Sequence, residues 1–142
     1  MKALKQFISL LILFIVCGVA KATDKPGEGM FTKTHAINTY VDAMVRGRLD
    51  GLTDVVDPDA KFTILQGKRL VSCTKKQMMD FLEKIKNVEE DCTTSTSLVE
   101  NNTELVVVKV DMQFKTFVRS NYVTIANTGN GWKIINVYSV FN

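Results

Sequence analysis

One long run in the last third of the sequence alternates between apolar and polar side chains, and this pattern restricts the fold more than any other feature. In residues 105–114, every second side chain from Val106 to Phe114 is apolar, and the side chains between them include charged ones. Residues 117–126 are again rich in strand-forming side chains, and Gly129-Asn130-Gly131 precedes another such run at 132–141. Strict alternation predicts half-buried strands, and short turns join antiparallel neighbours. With the Thr-rich residues 92–100, the sequence predicts a four-stranded antiparallel meander.

Earlier segments carry helical spacing instead. Ile37, Tyr40, Val41 and Met44 fall at i, i+3, i+4 and i+7, with Gly47 where a left-handed C-cap is expected. A short helix is predicted around residues 49–56, and residues 61–65 and 69–73 read as two further strands. The sequence from Thr74 to Gln77 has the pattern of a capping box and opens a third helix. Helices segregated from an antiparallel sheet predict the α+β class.

The N-terminal 22 residues form a predicted signal peptide. Lys2 and Lys5 precede an uncharged apolar run, and Ala20-Lys21-Ala22 offers a small-x-small cleavage site. The run is short for a membrane span, although an uncleaved N-terminal anchor is the alternative. Residues 23–31 contain one proline and two glycines and are predicted to be a linker to a single domain at 32–142. The sequence therefore predicts a secreted or periplasmic protein.

The charge balance excludes several classes of partner. The chain has 18 basic and 15 acidic residues, and three of the lysines lie in the predicted signal peptide, so the mature chain is neutral. Without a basic run, it offers no electrostatic footprint for nucleic acid or an anionic membrane. His35 is the only histidine and there is no CxxC pair, so no metal or cofactor is predicted. Cys73 and Cys92 are compatible with a disulfide or with two free thiols.

The chain resembles the nuclear transport factor 2-like superfamily. The resemblance rests on Tyr40-x6-Gly47-x3-Gly51, on Asp59-Ala60-x-Phe62 and on the closing Gly131-Trp132-Lys133-Ile134. Within the superfamily, the sequence is most similar to the secreted group called putative lumazine-binding proteins, and it is also similar to SnoaL-like polyketide cyclases. This resemblance implies a curved antiparallel sheet wrapped around three helices into an open cone. It also implies a pocket for a small apolar or aromatic molecule and a homodimer through the outer face of the sheet.

The ketosteroid isomerases of the same superfamily provide a test of catalysis. Their first helix carries a tyrosine that stabilises an enolate oxygen, and alignment by the two glycines places it at Tyr40. The same ungapped alignment places their general base at Ile64, which cannot abstract a proton. The isomerase reaction by that arrangement is therefore not expected. A cyclase or dehydratase would need another carboxylate facing the pocket, such as Asp42 or Asp111.

Three residues are predicted to contact a ligand. Tyr40 is either a core tyrosine whose hydroxyl meets a backbone carbonyl or a ligand-facing hydroxyl. Asn136 and Tyr138 occupy the strand where SnoaL-like relatives place polar pocket residues, and they are predicted to share a face with Trp132 and Ile134. The favoured function is small-molecule binding, with an enzyme of the cyclase, dehydratase or isomerase type and a protein-interaction module as alternatives.

Polar residues on the long strands are assigned to the opposite surface. Alternation places Asp111, Gln113, Arg119 and Asn121 on a solvated or dimer-forming face. If that face is concave instead, Asp111 and Arg119 become a charge pair at the mouth of the cone.

Overall fold

The computed structural model describes residues 32–142. The predicted signal peptide at 1–22 and the linker at 23–31 lie outside the described residues. The described residues contain three helices and six strands. In order, they are α1 (Lys33–Arg46), α2 (Leu52–Val55), β1 (Val56–Gln66), β2 (Arg69–Thr74), α3 (Lys75–Lys84), β3 (Thr93–Asn101), β4 (Leu105–Gln113), β5 (Val118–Asn127) and β6 (Trp132–Phe141).

The six strands form one open sheet in the order β2-β1-β6-β5-β4-β3. Strands β3 to β6 are the predicted antiparallel meander, and β1 and β2 form an antiparallel hairpin. The hairpin joins the meander through β1 and β6, which run parallel. The α+β class is confirmed, and the sheet is mixed at this one pairing. Hydrophobic alternation carries no information about the direction of a partner strand, so the sequence did not indicate it.

The helices pack on one face of the sheet, which we call the inner face. Apolar side chains of α1, including Ala36 and Tyr40, form one buried cluster with side chains from four strands. The register fixes which strand residues share this face. They include Phe62 and Ile64 of β1, Val110 and Met112 of β4, Asn121 and Val123 of β5, and Val137 and Ser139 of β6. Residues between them point to the outer face.

Local signals fix the ends of α1 and α3. The Thr32 hydroxyl accepts a hydrogen bond from the backbone N–H of His35 at 3.1 Å, which caps the start of α1. Gly47 ends α1 with a φ of 65°, in the left-handed region. Thr74 and Gln77 form the predicted capping box at the start of α3. The C-cap at Gly47 and the capping box at the start of α3 were predicted from the sequence, and both are confirmed.

Gly47 also carries a close approach between two segments. A Cβ atom at Gly47 would lie 2.7 Å from the backbone nitrogen of Asn87 and 2.8 Å from that of Val88. The Asn87 N–H donates to the Gly47 carbonyl at 3.0 Å, and the Glu90 N–H donates to the Val45 carbonyl at 2.7 Å. The connection between α3 and β3 is therefore bound to the end of α1 by its backbone, and only glycine fits at the contact.

Strand β1 starts earlier than predicted and contains Pro58. The sequence predicts a short helix around residues 49–56 and a strand from residue 61, whereas α2 ends at Val55 and extended backbone begins at Val56. Strand β1 pairs with β6 at Val56 and again from Lys61, so residues 57–60 lie outside the ladder. A proline is tolerated there because no ladder hydrogen bond requires its missing N–H.

Strand β6 contains a bulge that changes which residues face the helices. Ile134 pairs with Ile125, but Asn136 pairs with Thr124, so Ile135 is an extra residue opposite this step. A bulge of one residue reverses the alternation of the strand beyond it. Ile134 is therefore fully buried on the inner face, whereas Asn136 and Tyr138 point to the outer face.

Two further predictions concern cysteines and membranes. Cys73 and Cys92 are both free thiols at the edge of the buried cluster. Within residues 32–142, no helix combines the length and the apolar composition needed to cross a membrane.

Candidate functional site

A cavity of about 350 Å³ lies between α1, α3 and the inner faces of β1 and β2. The amphipathic spacing of α3 turns one apolar face toward the sheet, while Met44 reaches the same space from the last turn of α1. Most of the wall is apolar. The polar lining residues are Gln77, Glu90 and Arg119, and the apolar ones are Met44, Ile64, Cys73, Met78, Phe81, Leu82 and Ile85.

Arg119 is the cation of the cavity wall, and a buried polar network fixes its orientation. Its Nε donates to Asn121 Oδ1 at 3.0 Å, and Ser139 Oγ donates to the same oxygen at 2.6 Å. The Asn121 amide donates to the Val110 carbonyl at 3.2 Å, and Asn121 is 0% exposed. The guanidinium also lies 5.8 Å from the ring centre of Phe141. Satisfied buried networks of this kind are rigid.

Tyr40 is fully buried on α1, one turn before the cavity-lining Met44. Its hydroxyl has no hydrogen-bond partner among residues 32–142, so the backbone carbonyl expected for an ordinary core tyrosine is absent there. Burial raises the pKa of this hydroxyl to about 12, and the positive charge of Arg119 opposes that shift. The group is therefore a neutral O–H donor at physiological pH, and the charge of Arg119 acts on it electrostatically.

Asn136 and Tyr138 lie on the other side of the sheet from Tyr40. Their register partners on β5 are Thr124 and Tyr122, which also point to the outer face. The structure therefore does not bring the three predicted ligand contacts together. The physical reason is the bulge at Ile135, which interrupts the face that the sequence assigned jointly to Trp132, Ile134, Asn136 and Tyr138.

The structure also contradicts the sequence prediction for Arg119 and Asn121, which lie on the inner face. Alternation assigned both to a solvated face, yet they share the inner face with Val110, whose register partner is Asn121. Strand alternation assigns polar residues to the outer face because it takes no account of hydrogen bonds between them, such as the bond from Arg119 to Asn121. A signal was present in the sequence, since Asn121 has the same parity as Val123 on a strand whose inner side is apolar.

The candidate carboxylates named from the sequence lie outside the cavity. Asp42 forms an ion pair with Arg46 one turn along α1. Asp111 points to the outer face, where it accepts from Ser120 Oγ at 2.6 Å and lies 3.1 Å from Lys109 Nζ. The Ser120 hydrogen bond, supported by Lys109, lowers the pKa of Asp111. The predicted alternative of an Asp111–Arg119 pair is therefore wrong.

Glu90 is the carboxylate that the structure does place in the cavity wall. It lies in the connection from α3 to β3, and its backbone N–H is held by Val45. Ile64, the position aligned with the isomerase base, also lines the cavity. The wall thus contains a carboxylate, but on a different segment from the one that the resemblance indicates.

Cys73 lines the cavity, but burial raises the pKa of its thiol, which keeps it protonated at neutral pH. No group of three or more histidine, cysteine, aspartate or glutamate side chains within residues 32–142 is arranged to hold a metal ion.

Comparison with known proteins agrees with this architecture. A sequence model of the family described as "Putative lumazine-binding" matches residues 32–139. No curated protein sequence matches the chain.

Solved structures with the same fold are numerous and distant in sequence. One is an NTF-2-like protein of unknown function from Silicibacter pomeroyi DSS-3, with 18% identity over 83% of this chain and 99% of that chain and a TM-score of 0.65. A ketosteroid isomerase-like protein from Erwinia carotovora atroseptica SCRI1043 has 10% identity over 82% and 97% of the two chains, with a TM-score of 0.57. A cystatin-like fold protein from Burkholderia xenovorans LB400 has 14% identity over 83% and 94%, with a TM-score of 0.59. These likenesses show the fold.

Proposed function

Because the chain belongs to the Putative lumazine-binding family of the nuclear transport factor 2-like superfamily, we propose that its cavity binds a small, largely apolar or aromatic molecule. The observation that carries the proposal is the mostly apolar cavity of about 350 Å³ with a few polar groups in its wall. Ligand pockets are commonly clefts of roughly 300–1,000 Å³ with this kind of lining. The family description supports the same class of function.

The unpartnered hydroxyl of Tyr40 supports the proposal. A buried polar group without a hydrogen bond is unfavourable, and such groups in native proteins call for an explanation. Tyr40 lies one helical turn before Met44 of the cavity wall, and the charge of Arg119 opposes the rise that burial causes in the Tyr40 pKa. An oxygen or ring nitrogen of a bound molecule would satisfy the hydroxyl. Ligand contacts through Asn136 and Tyr138 stay a prediction from sequence, and the register gives them no access from the helix-covered side.

Native mass spectrometry tests the proposal directly. The mature protein is purified from the cells that make it and weighed before and after denaturation. We expect an adduct that denaturation releases. In an Ile64→Phe variant, the larger side chain fills part of the cavity and should abolish the adduct. Leu65→Phe is the matched control, because the same ring is added to the outer face of β1. Wild-type protein without an adduct that also fails to bind a neutral naphthyl probe would contradict the proposal.

An enzyme of the cyclase, dehydratase or isomerase type is the second candidate, and Glu90 is the observation that favours it. A carboxylate in an apolar cavity can take a proton from a bound carbon acid when it lies within hydrogen-bond reach. The test incubates the released ligand with the protein in D₂O and follows exchange of its C–H hydrogens by mass. Exchange that Glu90→Gln abolishes would support an enzyme, and absence of exchange would leave binding alone.

Location and assembly complete the proposal. We propose that residues 1–22 direct the chain to a secreted or periplasmic location, which N-terminal sequencing of the mature protein tests by finding Thr23 first.

We also propose a homodimer through the outer face of the sheet. Tyr122 and Tyr138 are register partners on that face and are half-buried. Sedimentation of wild type and of Tyr138→Asp tests this assembly, since a charge there should give monomers.

A further inference from the structure

We propose that the cavity recognises a molecule with an apolar body and a single carboxylate, and that Arg119 is the residue that binds the acidic group. This inference rests on the proposed binding function, because it assigns the class of ligand for the same cavity.

The guanidinium of Arg119 is held in place. Its Nε is committed to Asn121 Oδ1, and that oxygen is fixed in turn by Ser139 Oγ at 2.6 Å. Asn121 is fully buried, and its amide is bonded to β4. The ring of Phe141 lies 5.8 Å from the guanidinium carbon. An arginine on a flexible surface strand would have none of these restraints.

Within the described part of the chain, the terminal N–H groups of Arg119 are unused. Among residues 32–142, its terminal nitrogens make no hydrogen bond, and no carboxylate lies within 4.0 Å of them. Arginine presents its N–H groups as a planar fork that matches a carboxylate through two parallel hydrogen bonds. A fixed, unpaired guanidinium in an apolar wall is therefore suited to an anionic group on the ligand.

The other polar groups in or near the cavity wall include a hydroxyl donor at Tyr40 and a carboxylate at Glu90. The Tyr40 hydroxyl is a neutral donor without an acceptor, and it lies close enough for Arg119 to influence it. The unused donors of Arg119 line the cavity and need an acceptor, which a carboxylate supplies. Glu90 is the one acidic side chain in the wall, and it forms no ion pair with Arg119. Its negative charge disfavours a second anionic group, which points to a monoacid rather than a phosphate or a diacid.

The experiment compares an anionic ligand with a neutral ligand that has the same ring system and nearly the same size. The probes are naphthalene-2-carboxylate and its neutral primary amide, each titrated as a competitor of the fluorescent, uncharged N-phenyl-1-naphthylamine. Hydrogen bonds to a charged group are stronger than neutral ones, so we expect wild type to bind the carboxylate about tenfold more tightly than the amide. Arg119→Met should remove this preference, so that the acid and the amide bind within about threefold of each other.

Two further variants make the comparison specific. Lys115→Met removes the same charge from the exposed turn between β4 and β5 and should keep the preference. Arg119→Lys retains the charge without the fork and should keep only part of it. If Arg119→Met does not fold, the wild-type ratio and Arg119→Lys still decide the question.

The outcomes distinguish a failure of the Arg119 assignment from a failure of small-molecule binding. Equal binding of acid and amide by wild type would overturn the assignment of Arg119 while leaving small-molecule binding intact. A preference that survives Arg119→Met would do the same. If wild type binds neither the neutral probe nor any co-purifying molecule, the proposed function fails and this inference fails with it.

Discussion

Replacing Tyr40 with phenylalanine should stabilise the ligand-free protein. The ring is fully buried and stays in place, while the hydroxyl that is removed has no hydrogen-bond partner among the described residues. Leaving a buried polar group unpaired costs roughly 1–3 kcal/mol. An ordinary core tyrosine would instead lose a hydrogen bond worth about 1 kcal/mol. The sign of the change therefore distinguishes the two interpretations of Tyr40.

The magnitude can be measured by urea denaturation. For a domain of this size, the free energy of unfolding falls by about 2 kcal/mol per molar urea. A conservative gain of about 1 kcal/mol, at the lower end of that cost, raises the midpoint by about 0.5 M. The protein has to be unfolded and refolded to remove bound molecules first, because a ligand stabilises the wild type and would mask the gain.

Tyr122→Phe is the matched control, because it removes the same hydroxyl from the half-buried outer face. Its midpoint should change by the equivalent of less than about 0.5 kcal/mol. A lower midpoint for Tyr40→Phe, in ligand-free protein, would refute the reasoning. It would mean that the hydroxyl is already satisfied in the free protein, and Tyr40 would no longer support a ligand contact. With ligand present, Tyr40→Phe should bind more weakly than wild type despite its greater stability.

Two further predictions address the support of the cavity and the outer face. Gly47→Ala should lower the free energy of unfolding by more than about 2 kcal/mol, because a φ of 65° is unfavourable for alanine and the Cβ would meet the Asn87 backbone. Thermal unfolding checks this. Gly67 has a similar φ but lies in open space, so Gly67→Ala measures the backbone strain without the clash. Asp111→Asn should destabilise the protein at neutral pH, because the folded-state pKa of Asp111 is lowered. This contribution is present above the unfolded pKa of about 3.9 and is lost as pH falls through the lower folded value. Stability curves of wild type and variant should therefore converge in acid, and a constant difference would contradict the assignment.

The sequence was informative wherever local chemistry decides the structure. The period of β4 predicted its buried side, and Gly47 and the Thr74–Gln77 pair predicted the ends of two helices. Each of these signals depends on residues a few positions apart. The α+β class followed from them because helical and alternating segments occupy separate parts of the chain.

The site was less predictable because it depends on residues far apart in sequence. Arg119 reads as a surface residue until Asn121 and Ser139 are known to be its neighbours, which is a consequence of pairing between β5 and β6. Glu90 reads as part of an exposed acidic loop until the backbone of Val45 is seen to hold it beside the cavity. The parity that Asn121 shares with Val123 is the one periodic trace of the first arrangement, and the position of Glu90 leaves none.

The extra residue in β6 also affects how knowledge can be transferred between relatives. At 10–18% identity, an alignment rarely fixes a strand to the exact residue. If the gap for Ile135 is placed wrongly, residues 136–141 shift by one position, and every interior position is exchanged for an exterior one. Functional positions of a relative would then be copied onto the wrong side of this sheet. Superposition of backbones avoids this error, so homologous sites near the end of β6 should be assigned by structure rather than by sequence.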